Sequence, residues 1–458
     1  DELGFDVELT PPSTLDLIEL GSKGFPNELC LPIKLAAGHV RKALAENPEA
    51  LVVLPSVLEL PDPARDGQTM PCLFSQELPN LLRHEERDRF LAPQCALSTT
   101  RGGELEVVDE LVRLFGASRR KAWRAVRRGL AAQEGFDKAR LTLGREALAR
   151  TPEGHGVALL GRPYNLHDPL LNLDLARRIK SLGLEAIPMD LLPLHDVRLP
   201  KRYIQLLWRY NRDQLRALDL IATRGLELSP VFVSCFGCGL DAFANKHYED
   251  RLKDRPALSL EFDEHRGEAG LVTRLEAFLD ELDEQDQGDT AARRSTMPPT
   301  YHRRHWPSGV GLVSIPHFGE HSYAAAATLR AAGYDAEVLD EPDDETVRLG
   351  EEAASGGECH PWMVMAGQVI RWGGSSERRR GDIIYYPQAL DPCLICQYGD
   401  AHNRLLARMG VYDKWWVHSF DGSTLLKVFG GHAAMDMYES FSAVDILFSA
   451  ATALRAYE

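Results

Sequence analysis

The residues best equipped for chemistry are Cys30, Cys72, Cys95, Cys235, Cys238, Cys359, Cys393 and Cys396. Eight cysteines in 458 residues are too sparse for a disulfide scaffold, so their positions carry more than their number. Soft thiolate sulfur selects iron-sulfur clusters or zinc. Structural zinc sites commonly use two close C-x-x-C pairs, and Cys235/Cys238 and Cys393/Cys396 are such pairs; they complete a four-thiolate site only if their segments meet. A thioredoxin-type redox pair is a further option, for which Phe236-Gly237 and Leu394-Ile395 offer no helix-opening context. A single buried cysteine is more often a small hydrophobe in a core, and that reading is kept for Cys95.

Repetition lifts four cysteines above that bland reading. Gly4 to Val40 aligns without gaps on Gly333 to Val369, matching Gly21 with Gly350, Cys30 with Cys359, Pro32 with Pro361 and Gly38 with Gly367. Leu51 to Pro55 parallels Ile383 to Pro387, and the string PCLFSQ (Pro71 to Gln76) recurs as PCLICQ (Pro392 to Gln397). Cys72 is thereby paired with Cys393, and Ser75 stands opposite Cys396. Ligation by one cysteine per loop explains both copies better than paired zinc ligands do.

The elements that position these loops follow from short apolar runs alternating with amphipathic segments. Each copy reads as a strand, a helix, a Cys-bearing loop opening a second helix, a strand ending in Pro, and a second Cys loop. The class is α/β: several Rossmann-like or flavodoxin-like modules with parallel sheets, two of them an internal repeat, plus a helical insertion. We expect a first cysteine-bearing module at 1–103, an Arg-rich helical insertion at 104–150, a second module at 151–282 and a polar linker at 283–308. A third module at 309–458 repeats the first. The third module opens with a strand at Gly309 to Ile315 and a helix at Ser322 to Ala332; the first copy starts beyond that point, so it reads as N-terminally incomplete. Open parallel sheets place ligands beyond the carboxyl ends of their strands, where Cys30, Cys72, Cys238, Cys359 and Cys393 are expected.

Composition narrows the partners. Sixty-eight acidic against 52 basic residues give a formal charge of −16, which repels a phosphate backbone, so nucleic acid is not expected. No run of about 18 apolar residues and no signal-like N-terminus occurs, which predicts a cytoplasmic protein with no membrane span.

The strings CLPIKLAAGHV (Cys30 to Val40), LLGRPYNLHDP (Leu159 to Pro169), CFGCGLDAF (Cys235 to Phe243), ECHPW (Glu358 to Trp362) and PCLICQYGDAHN (Pro392 to Asn403) resemble the acyl-CoA dehydratase activase-related proteins. So do LEFDEHRGEAGLVTRLEAFLDEL (Leu260 to Leu282) and PHFGEHSYAAAATLRAAGYDAEVL (Pro316 to Leu339). These proteins belong with the 2-hydroxyacyl-CoA dehydratases, benzoyl-CoA reductases and double-cubane cluster proteins. The resemblance implies an oxygen-sensitive iron-sulfur protein with two four-iron four-sulfur cubanes, separate or sulfide-bridged, each held by three cysteines. It implies electrons delivered by an ATP-hydrolysing activase of actin-like fold, and a small-molecule or acyl-CoA substrate. Carried over residue by residue, Cys30, Cys72 and Cys238 hold one cubane, and Cys359 and Cys393 match two ligands of the other. The third is either Cys396 or a residue of a longer chain beyond Glu458.

Other signals carry less. Gly161-Arg162-Pro163-Tyr164-Asn165 follows a strand, so Arg162 is a candidate phosphate or CoA contact, or else a turn residue paired with a carboxylate. Asp421-Gly422-Ser423-Thr424 with Lys427 resembles an activase phosphate motif but lacks the residue between Asp and Gly, so ATP is expected to act through a partner or a further domain. Arg113, Arg119, Arg120, Lys121, Arg124, Arg127 and Arg128 form either a solvated face or a dock for an acidic partner such as the activase. A second copy of the chain is another candidate partner. Asp263, Glu264, Arg266 and Glu268 are read as salt-bridging residues, and His39, His360 and His402 as structural neighbours of the cysteine loops.

Overall fold

The computed structural model describes residues 2–455 except 27–28, 83–88, 98–100, 153, 201–202, 204–205, 253–254, 286–308, 388–392, 412–415 and 421. Its chain divides into two compact units, Asp1–Ser295 and Thr296–Glu458. Residues 286–308, most of the expected linker, lie outside the described residues, as does Asp421 of the phosphate-like string.

The first unit begins with helices α1 (Leu15–Ser22) and α2 (Leu31–Glu46), strands β1 (Val52–Val53) and β2 (Ser56–Glu59), helix α3 (Leu73–Leu82), and strands β3 (Phe90–Leu91) and β4 (Gln94–Ala96). The insertion is a helical pair, α4 (Arg101–Phe115) and the 32-residue α5 (Arg119–Arg150). Then follow β5 (Gly156–Gly161), α6 (Pro163–His167), α7 (Leu175–Ser181), β6 (Glu185–Pro188), α8 (Arg209–Thr223), β7 (Ser229–Cys235), α9 (Gly239–Leu252), β8 (Leu258–Phe262) and α10 (Glu268–Gln285). The second unit holds β9 (Val313–Ile315), α11 (His321–Ala331), β10 (Ala336–Val338), α12 (Asp344–Ala353), α13 (His360–Gly374) and β11 (Ile383–Pro387). It continues with a 3-10 turn (Leu394–Gln397), α14 (Tyr398–Arg408), β12 (Trp416–Phe420) and α15 (Gly422–Arg455).

Two four-stranded sheets organise the molecule, in the orders β6-β5-β7-β8 and β10-β9-β11-β12, with every pairing parallel. In both, the order reverses beside the first strand, so the crevice beyond β5/β7 and that beyond β9/β11 are the places where such sheets receive ligands. β5 is buried along its whole length, as a strand covered by helices on both faces must be. The first module is smaller: β1 pairs with β3 and β2 with β4, again in parallel. Here the expectation of matching strands needs correcting. Ala336–Val338 forms β10 against β9, whereas its repeat counterpart Val7 to Leu9 is not a strand and exposes both Val7 and Leu9. Among the described residues no strand lies beside it, and without a neighbour its backbone groups have no ladder to join.

The repeat is strongest where helices touch. α1 crosses α2 through two glycines: a Cβ on Gly21 would lie 1.7 Å from the Lys34 carbonyl oxygen, and one on Gly38 2.0 Å from that of Leu17. α12 crosses α13 in the same way, with Gly350 against the Met363 oxygen (1.9 Å) and Gly367 against that of Thr346 (1.8 Å). All four contacts occupy matched repeat positions. Each cysteine-bearing helix is therefore fixed to its neighbour by backbone-to-backbone approach that only glycine permits.

Candidate metal centre

Every repeated cysteine immediately precedes a helix. Cys30 and Cys359 are the N-caps of α2 and α13, with extended backbone (ψ 148° in both) and Pro in the first turn. Cys72 precedes α3 and its carbonyl accepts from the Gln76 N–H, while Cys393 caps the 3-10 turn that leads into α14. Cys238, in the loop after β7, opens α9. Helix N-termini carry unsatisfied N–H groups and partial positive charge, which favours anionic sulfur. The cysteine carbonyls take up part of this: Ile33 N–H donates to Cys30 O (3.1 Å) and Ala242 N–H to Cys238 O (3.0 Å).

In the first unit these loops converge. Cys30 senses Cys72, Cys238 senses Cys72, and Cys235 senses Cys30 and Cys238. Cys30, Cys72 and Cys238 are each partly exposed, while Cys235 is buried and donates its S–H to Asn165 Oδ1 (3.3 Å), a structural role. Burial drives the pKa values of the Cys30, Cys235 and Cys238 thiols up; for Cys238 it outweighs the opposing charge of Arg162, and the value rises to about 12. A positively charged metal centre reverses that balance by binding the deprotonated form.

Arg162 fits the carboxylate-paired alternative. Its Nη1 and Nη2 donate to the two oxygens of Asp241 at 2.7 and 3.0 Å, and both side chains are buried. Burial alone would raise the Asp241 pKa, but Arg162 together with Ser234 and Asn211 holds it below the usual value. The half-buried Tyr164 is also here, its phenol near Cys72, Cys235 and Cys238. Lys34 of α2, buried, meets Glu264 beyond β8 at 3.0 Å, so the charged loop ties first and second modules together, while Arg178 meets Glu268 at 2.9 Å within the second module. Arg216 of α8 adds a buried clamp on Asp62 (2.8 Å) and Asp66 (3.1 Å) of the first module.

In the second unit Cys359 and Cys393 both border Tyr398, whose Oη lies 2.6 Å from Cys359 Sγ. Burial and the two cysteines push this phenol's pKa well up. Its ring is framed by buried His402, which packs against Trp362 and bonds Tyr386 Oη through Nδ1 (2.9 Å). Cys396, buried, accepts from Gln397 Nε2 at 3.4 Å. His360 is exposed, and His39 contacts Ser13 Oγ at 3.1 Å.

The donor chemistry suits a cluster: three thiols from three different loops, on helix N-termini, in a sheet crevice. Among the described residues no three His, Cys, Asp or Glu side chains are grouped so as to hold one metal ion. A cubane is less demanding, since each thiolate binds a different iron at a different corner. Tyr164, Asp241, Asn165 and Tyr398 were not singled out in the sequence, although Tyr398 stands where the first copy has Glu77, a visible departure within the repeat.

Parallel α/β modules presenting cysteines at helix N-termini define the class. Residues 1–192 match the family model described as CoA enzyme activase uncharacterised domain, a match spanning the first module, the helical pair and the opening of the second module. Over these residues the chain is similar to that activase-associated domain, in line with the resemblance carried by the motif strings. No curated protein and no solved structure matches the chain. Among the described residues no helix is long and apolar enough to cross a membrane.

Proposed function

We propose that the chain is an iron-sulfur, low-potential reductase component, with Cys30, Cys72 and Cys238 holding one four-iron four-sulfur cubane and Cys359, Cys393 and a third ligand, Cys396 in this chain, contributing to the other. The observation that carries this is the convergence of Cys30, Cys72 and Cys238 from three helix N-termini, together with the repetition of two of those positions at Cys359 and Cys393. When bound, such clusters supply single electrons at low potential. The protein's part is to present three thiolates per site, to seat cysteines at helix N-termini, and to keep the Arg162–Asp241 pair buried behind the first site. Three thiolates leave one iron of a cubane free of protein ligands, for a substrate or for an added sulfide; an open iron suits a 2-hydroxyacyl-CoA dehydratase-like reaction.

The partner proposed is an ATP-hydrolysing activase, or a dehydratase component if this chain is itself part of the activase polypeptide. The second arrangement is favoured by the activase description of the family matched by residues 1–192. Anaerobic purification with iron, acid-labile sulfide and zinc analysis tests the centre. About eight irons per chain are expected, falling by about half in Cys30→Ala or Cys72→Ala protein. Zinc without sulfide, or protein free of metal, overturns the proposal in favour of a scaffold. ATP hydrolysis by the chain alone would replace the separate-partner arrangement.

A further inference from the structure

The repeat makes the two cysteine sites comparable position by position, and they differ at one polar contact. In both units the matched N–H, of Ile33 and of Trp362, donates to the carbonyl of the cysteine that caps its helix (3.1 and 3.0 Å). In the second unit the cysteine sulfur has a further partner, for Tyr398 Oη lies 2.6 Å from Cys359 Sγ. A phenol is thus added beside this sulfur. Its first-copy counterpart, Glu77, is exposed and accepts from Asn80 Nδ2. The Tyr398 ring cannot swing away freely, being buried against His402, which is itself packed on Trp362 and bonded to Tyr386.

We propose that Tyr398 is a positioning residue that tunes the second-unit centre: its O–H donates to Cys359 Sγ when that sulfur ligates iron, and sets the reduction potential of that centre apart from the first. This rests on the iron-sulfur reading above. The donor direction follows from chemistry, because a metal-bound thiolate has no proton to give, whereas the phenol has one. A hydrogen bond to a ligating sulfur withdraws electron density from it and eases acceptance of an electron, so potential rises with each such donor. Here the donor is neutral, its aromatic surroundings hold it in place, and the first copy lacks it.

The test uses the full chain purified anaerobically, as wild type, Tyr398→Phe and a protein carrying fluorotyrosine at 398, a stronger donor of nearly the same shape. Iron and sulfide are counted first, then each protein is titrated redox-potentiometrically with EPR detection, and iron–sulfur stretching bands are recorded by resonance Raman. Cys359→Ala identifies the second-unit signal as the one it abolishes. We expect unchanged iron content in all three Tyr398 proteins, a lower midpoint potential for that signal alone in Tyr398→Phe, a higher one with fluorotyrosine, and stretching bands that shift in step. Full iron content with an unmoved potential and unmoved bands overturns the inference and leaves the cluster reading intact. Absence of iron and sulfide from the wild type overturns the cluster reading and this inference with it.

Discussion

Asp241 decides the chemistry behind the first site, because among the described residues it is the ion-pair partner of Arg162 and sits, like it, almost wholly out of water (side-chain exposure 8% and 5%). Breaking a buried pair by neutralising one partner leaves an uncompensated charge, so Asp241→Asn should cost about 3–5 kcal/mol of stability, read by urea unfolding of cluster-free protein. The sign with pH follows from the lowered pKa of Asp241. Its contribution is complete above the unfolded value of about 3.9 and is lost as pH falls through the lower folded value. The gap between wild type and variant should therefore be constant from about pH 5 upward and close in stronger acid. A gap that stays constant into strong acid would remove the ion pair from the account. In the sequence, Arg162 could be seen as either an anion contact or a paired turn residue; choosing between them needed Asp241, 79 positions away, whose approach depends on β5 lying beside β7.

Helix pairs place the cysteines. Because Gly38 and Gly367 pack against backbone oxygens rather than flexible side chains, Gly38→Ala or Gly367→Ala forces the helices apart, with a penalty of about 1–3 kcal/mol or more in denaturant unfolding. Gly374→Ala, where a Cβ meets nothing within 4 Å, should instead be neutral or stabilising because alanine is the better helix former, and an equal penalty there would remove the crossing from the account. These glycines were legible as matched letters in the repeat, and so were the helices around them. Strand content was less legible: Val7 to Leu9 and Ala336 to Val338 have similar patterns, yet only the latter has β9 to pair with. Strand formation depends on a neighbour, which local sequence does not report.

At the scale of the whole molecule, charge is unevenly spread. The net charge is −16, but α5 carries Arg120, Arg124 and Arg127, all exposed and forming no ion pair among the described residues, while Arg119 and Arg128 are taken up by Asp109 and Glu2. A basic stripe on an acidic body steers an acidic partner, so the triple change Arg120→Glu, Arg124→Glu, Arg127→Glu should weaken binding of the proposed partner. The loss should be largest at low salt and fade as screening increases, which a titration of affinity against ionic strength measures. Insensitivity to both would make the stripe a solvated face. The paired Cys helices were readable from self-similarity, whereas the parallel strand order beside them, β6-β5-β7-β8 and β10-β9-β11-β12, depends on pairings that a single sequence does not report. The glycine crossings also bear on history. Because each pair of helices is registered through its main chain, the duplicated copies could drift in nearly every side chain without displacing the cysteine at the helix tip. Lys34 and Met363 illustrate such drift: they occupy one matched position, present the same carbonyl to a glycine, and otherwise share nothing.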